Sequence, residues 1–448
     1  MANSYLSRSV SSAGNRKTFT LSAWVKRGII SSGEHNIFGN SDSSYNNGFV
    51  VKFNSSDQLR VIMQDSSNYE KKPNRLFRDP SGWYHLVIQV DTTQSTATDR
   101  VKIWVNGVQE TSFATDTMPS QNYDTHWNNT TQITTVGRAG NYNGDYYDGY
   151  ITHAANVDGA VVAPTVFGET DSTSGIWKFK SPSGVTWGTN GFHLKMENSG
   201  NMGLDSSGQT NNFTTNGNLK QALDTPSNVH ATINTLIKPG PDIKTVINGN
   251  LSQNASSSNA WASLYSTLAV SSGKWYCEFK VDGTYVSDQN NLIFGVRDVD
   301  NLNQSSHDKI SQTAHGFGYR AQSGSKETGN SQSSYGNSYT TGDVIGLAMD
   351  LDNQKLYFHK NGTYQNSGDP TSGSTGTGAA FTLSSGVSYV VGASSYYTQD
   401  HYSFNFGNGF FGTTAISSAG SNGNGSLFEY DVPSGYYALN TKNINTYG

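Results

Sequence analysis

The residue types that could support catalysis are present in this sequence, but their spacing does not favour an enzyme. A retaining glycosidase needs two carboxylates about 5 Å apart, and a strand supplies them when acidic residues alternate on one face. No E-x-D-x-E run occurs, and Asp145 and Asp148 would face opposite sides of an extended strand. The G-x-S-x-G elbow and the Gly-Lys-Ser/Thr phosphate loop are also missing. We therefore expect a protein that is not an enzyme.

Metal-binding patterns are equally sparse. The ten histidines form no H-x-H or H-x-x-x-H pair, so a zinc site is not indicated. Calcium prefers hard oxygen ligands, and Asp145, Asp148 and Asp158 could supply some of them. Alternatively, these carboxylates cap turns through nearby backbone groups. We favour turn capping and no cofactor, and calcium is the alternative.

Two pairs of adjacent tyrosines, Tyr146-Tyr147 and Tyr396-Tyr397, lie among polar residues. Exposed aromatic rings can stack on sugar rings, so both pairs are candidate glycan-binding or partner-binding residues. Tyrosine also suits the partly hydrated contacts between subunits, and we weight subunit packing somewhat above glycan binding. The pairs mark where a ligand or another subunit would be met.

The composition limits the class of protein that must position these residues. The chain has 448 residues, 34% of them hydrophobic, with 48 Gly, a formal net charge of −5 and one cysteine, Cys277. Gly, Ser, Thr and Asn oppose helices and favour turns, whereas 12% aromatic residues can fill cores. No basic block favours nucleic acid, and no apolar run has the length for membrane insertion. The start, MANSYLSRSV, shows no signal-peptide pattern, so we expect synthesis in a cytoplasm without export.

Alternation of apolar and polar residues marks the predicted strands. WYHLVIQV (83–90) and DRVKIWVNGV (99–108) alternate, and so does the segment around Ile345 to Leu351. Asn106-Gly107 and Asn361-Gly362 supply the positive-φ pairs of tight hairpins. Cys277 alternates with Trp275 and Phe279, which predicts a small buried core residue. Helices should be few and short, and antiparallel sandwiches are expected.

The strands group into two blocks, which predict two tandem antiparallel jelly-roll-type β-sandwiches. We expect a first domain over 1–222, which includes a late strand from 190–220, and a linker over 223–244. A second sandwich follows over 245–412. Residues 413–448 combine a Gly/Ser-rich tract with an aromatic segment that should dock onto another part of the protein.

The first block resembles the laminin-G/concanavalin-A-like jelly roll. The resemblance is carried by TFTLSAWVKRG (18–28), GWYHLVIQVD (82–91), VKIWVNGVQ (101–109) and GDYYDGYI (144–151). The second block resembles a SPRY domain through SGKWYCEFKV (272–281), TGDVIGLAMDLDNQKLYFHKNG (341–362) and FNFGNGFFG (404–412). SPRY domains bind peptides through variable loops, which the resemblance places at 283–290, 322–334 and 396–402. The fold implied is all-β, with a concanavalin-A-like sandwich followed by a SPRY-like one.

Several further segments resemble virion proteins of marine tailed phages. They are the YLSR start, WGTNGFHLKM (187–196), DSSGQTNNFTTNG (205–217) and FEYDVPSGYYALNTKNI (428–444). The resemblance implies a non-enzymatic tail fibre or capsid decoration at the virion surface, used in adhesion to host-surface glycan. Its partners would be other virion proteins and copies of itself, with a trimer favoured. The alternatives are a glycan depolymerase on a phage tail and a bacterial lectin or adhesin.

Overall fold

The computed structural model describes residues 3–237, 245–254, 259–283, 291–302 and 308–448. Contacts within the chain divide it into two units, Met1–Gln221 and Ala222–Gly448. The regular secondary structure of both units is almost entirely β-strand, as the sequence predicts. Each strand below is numbered in chain order.

The first unit contains sixteen strands in its described residues. They are β1 Tyr5–Arg8, β2 Thr18–Arg27, β3 His35–Ser41, β4 Gly48–Phe53, β5 Leu59–Gln64, β6 Asn68–Pro73, β7 Trp83–Asp91, β8 Val101–Val105, β9 Val108–Gln109, β10 Phe113–Thr117, β11 Thr134–Val136, β12 Gly149–Asp158, β13 Gly168–Thr170, β14 Trp177–Phe179, β15 Phe192–Leu194 and β16 Thr214–Asn216. Two 3-10 turns accompany them, Ala97–Asp99 and Pro164–Val166.

Two antiparallel sheets face each other in the first unit. One has the order β10-β6-β5-β4-β3-β11-β1-β16 and the other β15-β12-β2-β7-β8-β9. Alternate residues of β2, β7 and β8 meet those of β4 and β5 in one buried core, with members such as Leu21, Ile88, Ile103, Phe49 and Val61. The period-two pattern read from WYHLVIQV is therefore confirmed, because Leu86, Ile88 and Val90 face this core.

Late segments of the first unit complete both sheets. β15 pairs with β12, and β16 pairs with β1, so the edges of the two sheets come from residues after 190. In the chain, residues 159–191 lie between β12 and β15, and they cover the outer face of the six-stranded sheet. There Phe167 and Trp187 are buried against Val87 and Val157. The second face of this sheet is thereby buried as well.

The second unit contains seventeen strands in its described residues. They are β17 Val246–Ile247, β18 Ser252–Gln253, β19 Ala262–Val270, β20 Lys274–Val281, β21 Leu292–Asp298, β22 Gly316–Arg320, β23 Lys326–Thr328, β24 Ser331–Ser333, β25 Val344–Asp350, β26 Lys355–Lys360, β27 Thr363–Tyr364, β28 Phe381–Thr382, β29 Tyr389–Ser395, β30 Tyr402–Asn405, β31 Phe410–Phe411, β32 Thr414–Ala415 and β33 Tyr437–Ala438. The helical elements are the 3-10 turns Val299–Asn301, Gln365–Ser367 and Pro370–Thr375 and the helix α1 Thr441–Tyr447.

This unit is also a sandwich of two sheets. One follows β17-β18-β30-β20-β25-β26-β27, with β28 and β33 attached to it, and the other follows β19-β29-β21-β22-β23-β24. Their shared core includes Cys277, Phe279, Phe294, Leu347 and Phe404, so the predicted buried role of Cys277 is confirmed. Among the strands named above, pairing is antiparallel except between β20 and β33, which run parallel.

One predicted domain limit changes at the second unit, and the predicted docking of the C-terminal segment is present. Part of the expected linker 223–244 belongs to the core of this unit, since Ala231 and Ile233 are fully buried there; residues 238–244 lie outside the described residues. The C-terminal aromatic segment docks onto the outer face of β20, β25 and β26, where Phe428 and Tyr436 pack against Tyr276 and Tyr357. Residues from both ends of the unit therefore complete its packing. These contacts join segments that are distant in sequence, so composition does not predict them.

Candidate binding site

The Tyr396-Tyr397 pair immediately follows β29, which lies between β19 and β21 in the six-stranded sheet of the second unit. Ser395 pairs with Ala262 of β19 on one side and with Leu292 of β21 on the other. This register brings Trp261, which immediately precedes β19, next to the tyrosines. We call Trp261, Tyr396 and Tyr397 the Trp261 cluster.

The rings of the Trp261 cluster meet edge to face. The centroid of Tyr396 lies 5.5 Å from that of Trp261 and 4.9 Å from that of Tyr397. Asp400 fixes the turn, because its Oδ2 accepts hydrogen bonds from the backbone N–H groups of Tyr396 at 2.8 Å and Tyr397 at 2.7 Å. All three rings remain half-exposed. They form an aromatic surface whose backbone is held in place.

Two cations support Trp261. Arg320 Cζ lies 5.5 Å and Lys309 Nζ 5.7 Å from its ring centroid, which is the range of a cation–π interaction. Both cations pair with the carboxylate of Glu327, which is fully buried and also accepts a hydrogen bond of 2.9 Å from Ser311 Oγ. The single carboxylate of Glu327 neutralises one of the two positive charges, but it holds both cations beside the indole ring, and the side chains of Lys309 and Arg320 are largely buried.

Trp261 and Arg320 were not among the residues that the sequence indicated. They are more than 75 positions away from Tyr396, and only the register of β19, β21 and β22 brings them together. Of the expected peptide-reading loops, 284–290 lies outside the described residues. Residues 326–333 within the second loop form the β23–β24 hairpin instead of an irregular loop.

The two residues of the other tyrosine pair, Tyr146 and Tyr147, have different surroundings. Tyr147 packs against the core of the first unit, and its hydroxyl donates to the backbone oxygen of Lys26 at 3.1 Å. Burial raises the pKa of Tyr147. Tyr146 is half-exposed, donates to Asn143 Oδ1 at 2.6 Å and has its ring 6.0 Å from that of Tyr5. Tyr147 is thus a packing residue, and only Tyr146 of this pair has a ring placed to meet a ligand.

The three aspartates considered for calcium are not brought together. Asp148 immediately precedes the ten-residue strand β12 and Asp158 ends it, which separates them by about 30 Å at 3.3 Å per residue. Asp145 pairs with Lys52 at 3.0 Å. Within the described residues, no three His, Cys, Asp or Glu side chains form a cluster suited to a metal ion. A shared calcium site on these three residues is therefore excluded by their positions.

Asp158 instead joins three segments of the first unit. Its Oδ1 accepts from the backbone N–H of Asn15 at 2.7 Å and from Asn128 Nδ2 at 3.0 Å, and its Oδ2 accepts from the N–H of Asn190 at 2.9 Å. The turn-capping role that we expected is therefore wrong for Asp158, since its partners are not its neighbours in sequence.

Comparison with protein-family models supports the domain order. Residues 2–167 match the model described as concanavalin A-like lectin/glucanases superfamily, and residues 274–409 match the SPRY domain model. The chain therefore carries a concanavalin-A-like domain followed by a SPRY domain. The structure extends both beyond the matched residues, through β15 and β16 in the first unit and through β33 in the second.

Solved structures similar to the chain include two human SPRY domains. The SPRY domain of human HERC1 is 19% identical, with 36% of this chain and 91% of that chain covered and a TM-score of 0.29. A second human SPRY domain is 13% identical, with 34% and 89% covered and a TM-score of 0.26. No curated protein matches the sequence. In the described residues, no helix is long and apolar enough to span a membrane.

Proposed function

We propose that this protein is a non-enzymatic structural protein of a phage particle, a tail fibre or a capsid decoration, that adheres to host-surface glycan. The observation that carries the adhesion part is the Trp261 cluster, with three half-exposed rings at one end of the SPRY sandwich. Concanavalin-A-like and SPRY domains both fit a carbohydrate-binding or protein-binding adhesion module. The phage part rests on the motif resemblance alone.

The Trp261 cluster suits a sugar ring because it combines apolar area with fixed geometry. An aromatic side chain has only two side-chain torsions to immobilise on binding, so ordering it has a low entropic cost. The Asp400 carboxylate and the Lys309 and Arg320 cations hold the cluster before a ligand arrives. A preformed surface of this kind favours affinity through reduced ordering on binding.

Glycan adhesion is tested by screening the full chain on a glycan array and measuring Kd for any glycan that binds. We expect Trp261→Ala and Tyr397→Ala each to raise Kd about tenfold, which corresponds to about 1.4 kcal/mol, in the range of one lost ring contact. Tyr447→Ala is the matched control, since Tyr447 is an aromatic residue of the same unit and 44% exposed. Unchanged binding in both test variants, or no glycan bound at all, would contradict glycan adhesion.

The virion location is tested separately, by gold-labelled antibodies on purified particles and on the lysate of infected cells. Label at a defined position on the particle supports the proposal, and label only in the lysate contradicts it.

Light scattering of the purified chain tests the proposed homo-oligomer, for which we favour a trimer. Incubation with host polysaccharide tests the absence of catalysis, because release of shorter chains would identify a depolymerase.

A further inference from the structure

Three histidines lie on the outer face of the six-stranded sheet of the first unit. Leu86 and Ile88 of β7 face the core, so His85 and Val87, which alternate with them along the strand, face outward. β15 pairs with β12 with His193 opposite Ala155. His153 is at a bulge of β12 with φ +49°, where the register to β2 shifts. Residues 159–191 cover this face, so all three rings lie between the sheet and the covering segment.

His85 is the first anchor of the covering segment. Trp177 Nε1–H donates to His85 Nδ1 at 3.0 Å, and His85 Nε2 lies 2.9 Å from Ser22 Oγ. Since an indole nitrogen can only donate, Nδ1 of His85 is the acceptor and its proton is on Nε2. The rings of Trp24 and Trp177 stack on His85 at 4.7 and 5.9 Å. Protonation at Nδ1 would place two donors against each other and break the bond to Trp177.

His153 and His193 form the second anchor. Nδ1 of His153 and Nε2 of His193 lie 3.2 Å apart, so one ring donates to the other. Phe179 stacks on His153 with centroids 3.7 Å apart, and Trp187 stacks on His193 at 5.7 Å. Protonation of both histidines would remove the acceptor of their hydrogen bond and put like charges in contact.

The hairpin β13–β14 depends on these anchors. Its connection is polar and exposed, and Ile176 at its end is 65% exposed. Trp177 and Phe179 are the hairpin residues whose rings stack on histidine rings, and the ring of Trp177 also lies over Gly107, which has no side chain to pack against it. Once the histidines become charged, few apolar contacts therefore remain to hold the hairpin against the sheet.

We propose that the hairpin Gly168–Phe179 is an acid-released latch, in which protonation of His85 and of the His153–His193 pair detaches the hairpin and uncovers the outer face of the sheet. Release would expose Trp24, which is 2% exposed and whose indole Nε1 has no hydrogen-bond partner among the described residues. This face of the sheet, which is rich in aromatic rings, would be exposed at the pH of an acidified compartment. At neutral pH the hairpin would cover it.

Burial, with a smaller contribution from nearby positive charge, keeps the histidines neutral when the latch is closed. Burial lowers the pKa of His85 and of His153 to about 3, and that of His193 to about 4. The positive charge of Lys195 lowers the pKa of both His153 and His193, while Asp205 and Glu197 act in the opposite direction on His193. On the hairpin, Lys178 pairs with Asp171 at 3.0 Å and with Glu169 at 3.6 Å. A histidine in water has a pKa near 6.5, so falling pH favours the open form from about 6.5 downward.

Hydrogen exchange of the full chain, corrected for the intrinsic effect of pH, tests the latch. A pKa difference of about three units would shift the open population on the order of a hundredfold by pH 4.5 for His85 alone. We therefore expect exchange in 168–180 to rise at least tenfold between pH 7 and pH 4.5, reversibly, while strand β2 stays protected. Exchange that does not rise there, or that rises equally in β2, overturns the proposal.

Variants that keep the hydrogen-bonding atoms but cannot titrate separate the histidines from a general effect of acid. His85→Asn places an acceptor near Nδ1, and His153→Asn suits a positive φ; His193→Gln places an acceptor near Nε2. The triple variant should lose at least nine-tenths of the acid-induced rise, and His126→Gln, a control in the same unit, should retain it. Near-UV circular dichroism at pH 7 identifies a variant that has not folded; if the triple variant does not fold, the single variants His85→Asn and His153→Asn decide together. An acid response unchanged in the folded triple variant, or in both folded single variants, overturns the proposal.

Discussion

Replacement of Glu278 by alanine should destabilise the SPRY unit strongly, because this buried carboxylate holds the C-terminal segment. Glu278 is fully buried on β20. Its Oε2 accepts from the backbone N–H of Glu429 at 2.8 Å and from Asn405 Nδ2 at 3.2 Å, and its Oε1 accepts from the N–H of Tyr430 at 2.8 Å and the hydroxyl of Tyr276 at 3.1 Å. Four donors lose their acceptor in Glu278→Ala.

The size of the effect follows from the two backbone donors. A buried donor left without an acceptor costs about 1–3 kcal/mol, so Glu429 N–H and Tyr430 N–H together account for about 2–6 kcal/mol. Because the loosened segment is partly solvated, we expect the free energy of unfolding to fall by about 4 kcal/mol. That is a large share of the roughly 5–15 kcal/mol by which a domain is stable.

The dependence on pH gives a sharper test of the same residue. Burial raises the pKa of Glu278 from 4.5 to about 7, although its four hydrogen bonds act in the opposite direction. A carboxyl that binds its proton more tightly in the folded state contributes most stability at low pH and loses it as pH rises from about 4.5 to 7. The cost of Glu278→Ala should therefore be larger at pH 5 than at pH 8, by up to about 3 kcal/mol at 1.36 kcal/mol per unit.

Urea unfolding of the full chain at both pH values, followed by tryptophan fluorescence and by limited proteolysis of residues 413–448, measures these changes. Two units are present, so the transitions must be assigned to each unit before a free energy is extracted. Glu429→Ala is the matched control, because it removes a carboxylate from the same segment and keeps the backbone N–H. A loss below about 0.5 kcal/mol, which is the ordinary range of surface substitutions, would refute the role of Glu278. A cost that grows with pH would refute the argument from burial.

Three further predictions concern packing and metal. Asp57→Ala should destabilise the first unit by about 3–5 kcal/mol, measured by urea unfolding, because it leaves the fully buried Arg27 without its carboxylate partner at 3.2 Å. Gly346→Ala should lower the stability of the second unit by about 1–3 kcal/mol, since a Cβ there would overlap the ring of His359; an unchanged melting temperature would contradict this packing. Chelator and excess calcium should both leave the melting temperature of dialysed protein unchanged, because the three aspartates considered for calcium form no shared site. A change would contradict this, since a bound ion stabilises the folded state by mass action.

Local patterns in the sequence were sufficient to predict much of the strand framework. Asn106 and Gly107 have φ of +48° and +77° between β8 and β9, and Asn361 and Gly362 have φ of +48° and +82° between β26 and β27. Both hairpins were expected, because an Asn-Gly pair is one of the few ways to provide two consecutive positive φ values. The alternation in β7 and β25 succeeded for a similar reason, since one buried face fixes the register.

Contacts between distant segments were not predictable in this way. The Trp261 cluster requires the pairing of β29 with both β19 and β21, and nothing near Tyr396 in the sequence indicates Trp261. Asp145, Asp148 and Asp158 were considered as calcium ligands because calcium prefers oxygen ligands, but an extended strand separates Asp148 from Asp158. Ala231 and Ile233 appeared to belong to a linker because the segment is short and rich in proline, yet they fill the core.

The aromatic residues of this chain explain why partner contacts are expected at the ends and margins of the sandwiches rather than on their flat faces. Each of the four main sheets has a small cluster of the protein's own side chains on its outer face, with members such as Trp187, Phe428, Ile310 and Ala139. Rings that cover a sheet in this way are already desolvated and offer a ligand little further gain. Trp261 packs against the group that contains Ile310 but, like Tyr396 and Tyr397, stays partly exposed, so the Trp261 cluster retains apolar area that binding can still bury. The latch hairpin is the one place proposed here where a change of charge would convert covered aromatic surface into available surface, so acid would add a second contact area without new residues.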